Sequence, residues 1–122
     1  MNPNQALWEK GDFTRLARTM RSSGEALVQS IGVTPGMKVL DLGCGDGTTA
    51  IREAQLGADV LGVDIARNLV EASNRRAQEM GLANVQALQA ELEALFKSQN
   101  KSGPEISASV NATFLRVTVA VS

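Results

Sequence analysis

Three glycines at alternate positions, Gly43, Gly45 and Gly47, follow directly on the apolar run Val39, Leu40 and Leu42. The run reads as a buried strand, and the glycines remove side chains where it ends, so the backbone can turn sharply and approach a ligand closely. From Thr48 onward the sequence has helical character, which makes the unit strand, glycine loop, helix, with backbone N–H groups available at the helix start. Asp41 and Asp46 put negative charge beside the loop, which suits a cationic group better than a pyrophosphate. The alternative is a glycine-rich turn that binds nothing.

Cys44, the only cysteine of the chain, sits inside the loop. It reads as a small residue tolerated beside the ligand. One cysteine and no histidine cannot assemble a metal cluster or an internal disulfide, so no metal is expected. The absence of His and Tyr removes the commonest general base and the phenol, and no catalytic residue can be named. The 122 residues suit one domain, 1–122, divided into N-terminal helices (1–34), a ligand-binding core (35–97) and a strand-rich tail (98–122). Twelve basic residues against thirteen acidic ones argue against a nucleic-acid or membrane-surface binder. No apolar run approaches a membrane span, and a cytoplasmic location is expected.

From Ala6 to about Ile31, Leu7, Trp8, Phe13, Leu16, Ala17, Met20, Leu27, Val28 and Ile31 recur at three- and four-residue spacings. Gly11 and Ser22-Ser23-Gly24 interrupt the pattern and predict two helices rather than one, with Ser23 as cap of the second. A strand over 37–42, a helix over 48–56 burying Ala50, Ile51 and Ala54, a left-handed stop at Gly57 and a second strand over 58–64 follow in turn. So short a connection predicts a parallel crossover. Asp64 ends the second strand 21 positions after Gly43, about the separation at which such an acid reaches a ribose, and it also stands where it can cap the next helix. That helix runs from 67 to 80, with Leu69, Val70, Ser73, Ala77 and Met80 on one face and Arg75, Arg76 and Glu79 on a solvated one to which no function is assigned.

The dinucleotide fingerprint is G-x-G-x-x-G, whereas Asp41 to Gly47 reads D-x-G-x-G-x-G. That pattern resembles the first motif of class I S-adenosylmethionine-dependent methyltransferases, here of the small-molecule type. The resemblance implies an α/β fold, a Rossmann-like three-layer sandwich with a mostly parallel sheet, and S-adenosyl-L-methionine as cofactor. It implies that Asp41, Gly43, Cys44, Gly45 and Gly47 surround the methionine part and that Asp64 takes both ribose hydroxyls. By the same resemblance Ile65 packs on the adenine, and Glu91 stands where the family's acid meets the adenine amino group. Residues 6–13 resemble the segment that covers the cofactor and walls the acceptor pocket; alternatively Trp8 and Phe13 simply pack on the sheet.

After Ala83 two readings compete: a third strand over 84–89 with a helix over 91–97, or one helix marked by Leu88, Leu92, Leu95 and Phe96. The first is preferred. Residues 98–104 read as a polar loop, and 105–111 and 115–121 alternate as strands. Only four residues separate these two, too few for a parallel crossover, so here the chain departs from the seven-stranded family sheet and the fold is incomplete. The two segments then form a hairpin, one long strand or a segment donated to another chain, and a long apolar edge predicts a homo-oligomer, with strand exchange through the tail as one route. Two functions are carried forward: methyl transfer to a small-molecule substrate, by the chain itself or as the cofactor-binding part of such an enzyme, and a non-catalytic domain that binds S-adenosylmethionine or its demethylated product, or a truncated self-associating form.

Overall fold

In the computed structural model, residues 2–91 are described. Three short helices open the chain: α1 (Pro3–Glu9), α2 (Phe13–Thr19) and α3 (Arg21–Ile31). Asn2 caps α1, its side chain accepting from the Asn4 N–H at 2.9 Å, with proline at the first turn. Gly11 separates α1 from α2 as expected. The second break falls at Met20 instead, and Ser22-Ser23-Gly24 lie inside α3. Gly24 is there for proximity: a Cβ on it would stand 2.6 Å from Thr48 Cγ2, so only glycine lets α3 lie on the loop after the first strand.

The remainder alternates: β1 (Lys38–Leu42), α4 (Ala50–Gln55), β2 (Asp59–Asp64), α5 (Arg67–Glu79) and β3 (Val85–Gln89). The strands pair in parallel in the order β1-β2-β3, with Asp41 opposite Gly62 and Val63 opposite Leu88. The fold is α/β, an open three-stranded parallel sheet with helices, as a Rossmann-like arrangement requires. Helix α4 starts two residues later than expected because the Thr48 and Thr49 hydroxyls are committed to Asp46 and Asp41. Gly57 (φ 92°) and Gly81 (φ 68°) are the left-handed stops.

Val39, Val60, Val85 and Ala87 pack against Ala50, Ala54 and Val70 of α4 and α5 to make the core. Met80, expected on the buried face of α5, is 51% exposed at its end. On the opposite sheet face Leu40, Leu61 and Leu88 are exposed among the described residues. Asn74 of α5 clips β3 by a reciprocal pair, donating to the Ala87 carbonyl (2.9 Å) and accepting from its N–H (2.8 Å). The expected helix over 91–97, the loop over 98–104, the strands over 105–111 and 115–121 and tail-mediated strand exchange lie outside the described residues, save that Glu91 itself is not helical.

Candidate functional site

The loop after β1 is stitched to the end of β2. The N–H groups of Gly43 and Cys44 both donate to the Val63 carbonyl (2.7 and 3.1 Å), and the Gly47 N–H donates to the Cys44 carbonyl (2.9 Å). The Gly45 N–H donates to Asp64 Oδ2 and the Ala66 N–H to Asp64 Oδ1, each at 2.9 Å. Asp64 therefore shapes the turn into α5, whose N-cap is Ala66 and has no side-chain cap, and its carboxylate is held in one orientation by the glycine loop on one side and that turn on the other. Each carboxylate oxygen keeps a second lone pair for another donor. The N–H groups of Gly43, Cys44, Gly45 and Gly47, by contrast, are spent inside the protein, so a ligand over Gly43 and Gly45 meets bare glycine surface.

The three glycines are not equivalent. All have positive φ (73°, 53° and 84°), but a Cβ on Gly43 or Gly45 would meet no atom within 4 Å, whereas one on Gly47 would lie 2.5 Å from Ser73 Oγ and 3.0 Å from Ile51. Gly43 and Gly45 border open space; Gly47 lets α5 pack against the loop.

Two adjoining cavities share Trp8, Gly43, Gly45 and Leu69. The smaller, about 310 Å³, has Asp64 and Ile65 in its lining. The larger, about 390 Å³, extends over Cys44, Asp46, Thr48 and Thr49 to the apolar side chains of α2 and α3. Trp8 and Phe13 meet at 4.9 Å between ring centroids, tilted by 56°, and line this cleft as a wall. Glu9 anchors that wall: its Oε1 accepts from the Arg67 N–H at 2.8 Å, tying α1 to the first turn of α5.

Asp41 lines neither cavity; it accepts from the Thr49 hydroxyl and braces the loop from beneath. Burial raises its carboxyl above the usual range, against the Thr49 and Ala50 bonds that lower it and with the nearby Asp64 charge. Burial, with the charges of Asp41 and Asp64, pushes the Cys44 thiol up to about 12, so it stays protonated and is no nucleophile at neutral pH. Glu91 is exposed and lines neither cavity.

One feature escaped the sequence. Asp46, 2% exposed, pairs with Arg21 (2.7 Å) and Arg76 (3.4 Å), and Arg76 also donates to the Asp46 carbonyl at 2.6 Å. The negative charge expected to face a cation is thus neutralised from behind, and Arg76 is not part of a solvated face. Among the described residues, no group of His, Cys, Asp and Glu is placed to hold a metal.

A family model described as a methyltransferase domain matches residues 33–108, well over half the chain. The chain belongs to the methyltransferase-domain family. It falls in the class I, S-adenosylmethionine-dependent group. The methyltransferase domain is 36% identical over 92 residues to the uncharacterized protein Rv1405c of Mycobacterium tuberculosis, covering 70% of this chain and 34% of that protein. It is 39% identical over 71 residues to the ubiquinone biosynthesis O-methyltransferase of Leptothrix cholodnii, covering 58% and 30%. Among solved structures it resembles magnesium protoporphyrin IX methyltransferase from Synechocystis with bound SAM, at TM-score 0.53 and 31% identity over 66% of this chain and 40% of that one. The chain spans about a third of the length of the curated relatives it matches.

Proposed function

We propose that this methyltransferase domain binds S-adenosyl-L-methionine in the cleft between the glycine loop and Trp8, and serves methyl transfer to a small-molecule acceptor. The observation that carries the reading is the Asp64 carboxylate, oriented by two backbone N–H groups in the lining of a cavity, with side-chain-free backbone at Gly43 and Gly45 beside it. A carboxylate so held can accept from both hydroxyls of a ribose. Ile65 and Leu69 offer apolar surface for a purine, and Cys44 and Gly45 border the space for the amino-acid portion. Asp41 and Gly47 act through the loop's shape. Glu91 is assigned to the adenine amino group by the family resemblance alone.

When bound, the cofactor supplies an already activated methyl group on sulfur. The task left to this chain is to hold donor and acceptor in line and limit water, and Trp8, Phe13 and Leu16 supply the apolar wall of the larger cavity for it. The acceptor pocket is apolar on its helical side and fits a small molecule better than a nucleic acid. A non-catalytic binding role has one observation in its favour: the charged side chains of the cleft are Asp46 and Asp64, both already engaged, so neither is free to take an acceptor's proton. A cytoplasmic location and self-association through the tail and the exposed Leu40, Leu61 and Leu88 face belong to the same proposal; no described helix is long and apolar enough to cross a membrane.

Calorimetric titration with S-adenosylmethionine, paired with a methyl-transfer assay on amine, hydroxyl and thiol acceptors, tests this. Asp64→Ala is expected to weaken binding by about 1.5–3 kcal/mol, the loss of hydrogen bonds to a charged group. Unchanged affinity would remove Asp64 from the site. Binding without product from any acceptor would select the non-catalytic role.

A further inference from the structure

We infer that the polar cleft between α2, α3 and α5 is an anion site that takes a phosphate group, through the guanidiniums of Arg18, Arg21, Arg75 and Arg76. This cleft, about 400 Å³, is separate from the cofactor cavities except for Asp46, which lines both. Three helices converge there: α2 brings Arg18 in its last turn, α3 brings Arg21 at its first residue, and α5 brings Arg75 and Arg76. Four guanidiniums face two carboxylates, Asp46 and Glu79.

Asp46 cannot balance them. It is 2% exposed, and its Oδ2 holds Arg21 while its Oδ1 accepts from Thr48 at 3.0 Å and lies 3.4 Å from Arg76. Arg18 and Arg75 have neither an ion-pair nor a hydrogen-bond partner among the described residues, and Glu79 forms no ion pair within 4 Å there. Arg21 and Arg76 converge on a single carboxylate, and the Arg76 guanidinium is held below the ordinary arginine range by burial and then by the charge of Arg21, against the Asp46 and Glu79 charges that raise it. The excess positive charge gathers in a cavity in a chain whose net charge is −1. The planar fork of a guanidinium matches the oxygens of a phosphate, which accept two donors at a time, and the anion's charge answers the excess of four arginines over two carboxylates, with Arg18 and Arg75 exposed at the cleft. A carboxylate offers fewer oxygens and less charge. The volume admits inorganic phosphate or a small phosphate monoester.

The test titrates the full chain with inorganic phosphate and with glycerol 3-phosphate at constant ionic strength, following amide NMR shifts. Saturable binding is expected, centred on α2 and α5, and weakened about tenfold or more in Arg18→Gln/Arg75→Gln, as loss of charge-assisted bonds requires. Neither arginine touches Asp46 or lines the cofactor cavities, so S-adenosylmethionine affinity and melting temperature should hold in the variant; Arg18→Gln alone serves if the double variant does not fold. Equal affinity for both probes identifies the free anion as ligand, and tighter binding of the ester identifies a phosphorylated small molecule. Absence of saturation with either probe, or equal binding by the arginine variants, overturns the inference.

Discussion

Gly47 and Gly43 look alike in the sequence and differ in what surrounds them. Alanine at Gly43 bears only the strain of a left-handed conformation, about 1–2 kcal/mol. At Gly47 the same strain is joined by a methyl 2.5 Å from Ser73 Oγ, and Gly47→Ala is expected to lose about 2–4 kcal/mol by urea denaturation. Equal losses at the two positions would show that α5 does not press on the loop. Glu53 gives a second prediction at this scale. It is buried on α4, one of its carboxyl oxygens has no hydrogen-bond partner, and burial together with the Asp41 charge raises it to about 7. The unfolded chain ionises this group near pH 4.3, so the fold favours its protonated form. Its contribution is complete below that pH and is lost as pH rises through about 7. Glu53→Gln, which keeps the shape of the protonated acid, should match the wild type near pH 4 and be about 1–2 kcal/mol more stable at pH 8. Parallel stability curves across that window would contradict it.

At the scale of elements, β3 depends on a helix as well as on its neighbouring strand. Asn74 occupies both the N–H and the carbonyl of Ala87, and Asn74→Ala leaves two backbone groups unpaired, so a loss of about 1–2 kcal/mol is expected, with faster amide exchange in β3 than in β1. Uniform exchange would mean that the clip is incidental. The alternating elements from 37 to 89 were legible because strand, glycine loop and helix each have a local cause: apolar runs, positive φ at Gly43 and Gly57, and a stop at Gly81. The break between α2 and α3 was not, because Gly24 reads locally as a helix breaker and its actual service, contact with Thr48, is made across 24 positions of sequence. The Arg21–Asp46–Arg76 bridge was hidden for the same reason, its partners standing 25 and 30 positions from Asp46. Spacing betrays a residue that ends a recognisable element, as Asp64 ends β2, and is silent on side-chain pairs that only the fold brings together.

Across the whole molecule, the cleft is made by two independent pieces. The sheet and its loop supply Gly43, Gly45 and Asp64, and the N-terminal helices supply the apolar wall of Trp8, Phe13 and Leu16, tied down through Glu9 and Arg67. In the proposed function that division would separate a polar grip on a nucleoside from an apolar space for an acceptor. The proposed role of the cleft depends on nucleoside binding at Asp64. A crystal structure of the chain grown with S-adenosylhomocysteine measures it directly: both ribose hydroxyl oxygens are predicted to lie within hydrogen-bonding distance of the Asp64 carboxylate, with the ligand passing over Gly43 and Gly45. A ligand bound elsewhere, or a correctly formed and accessible cleft left empty at saturating ligand, would contradict it.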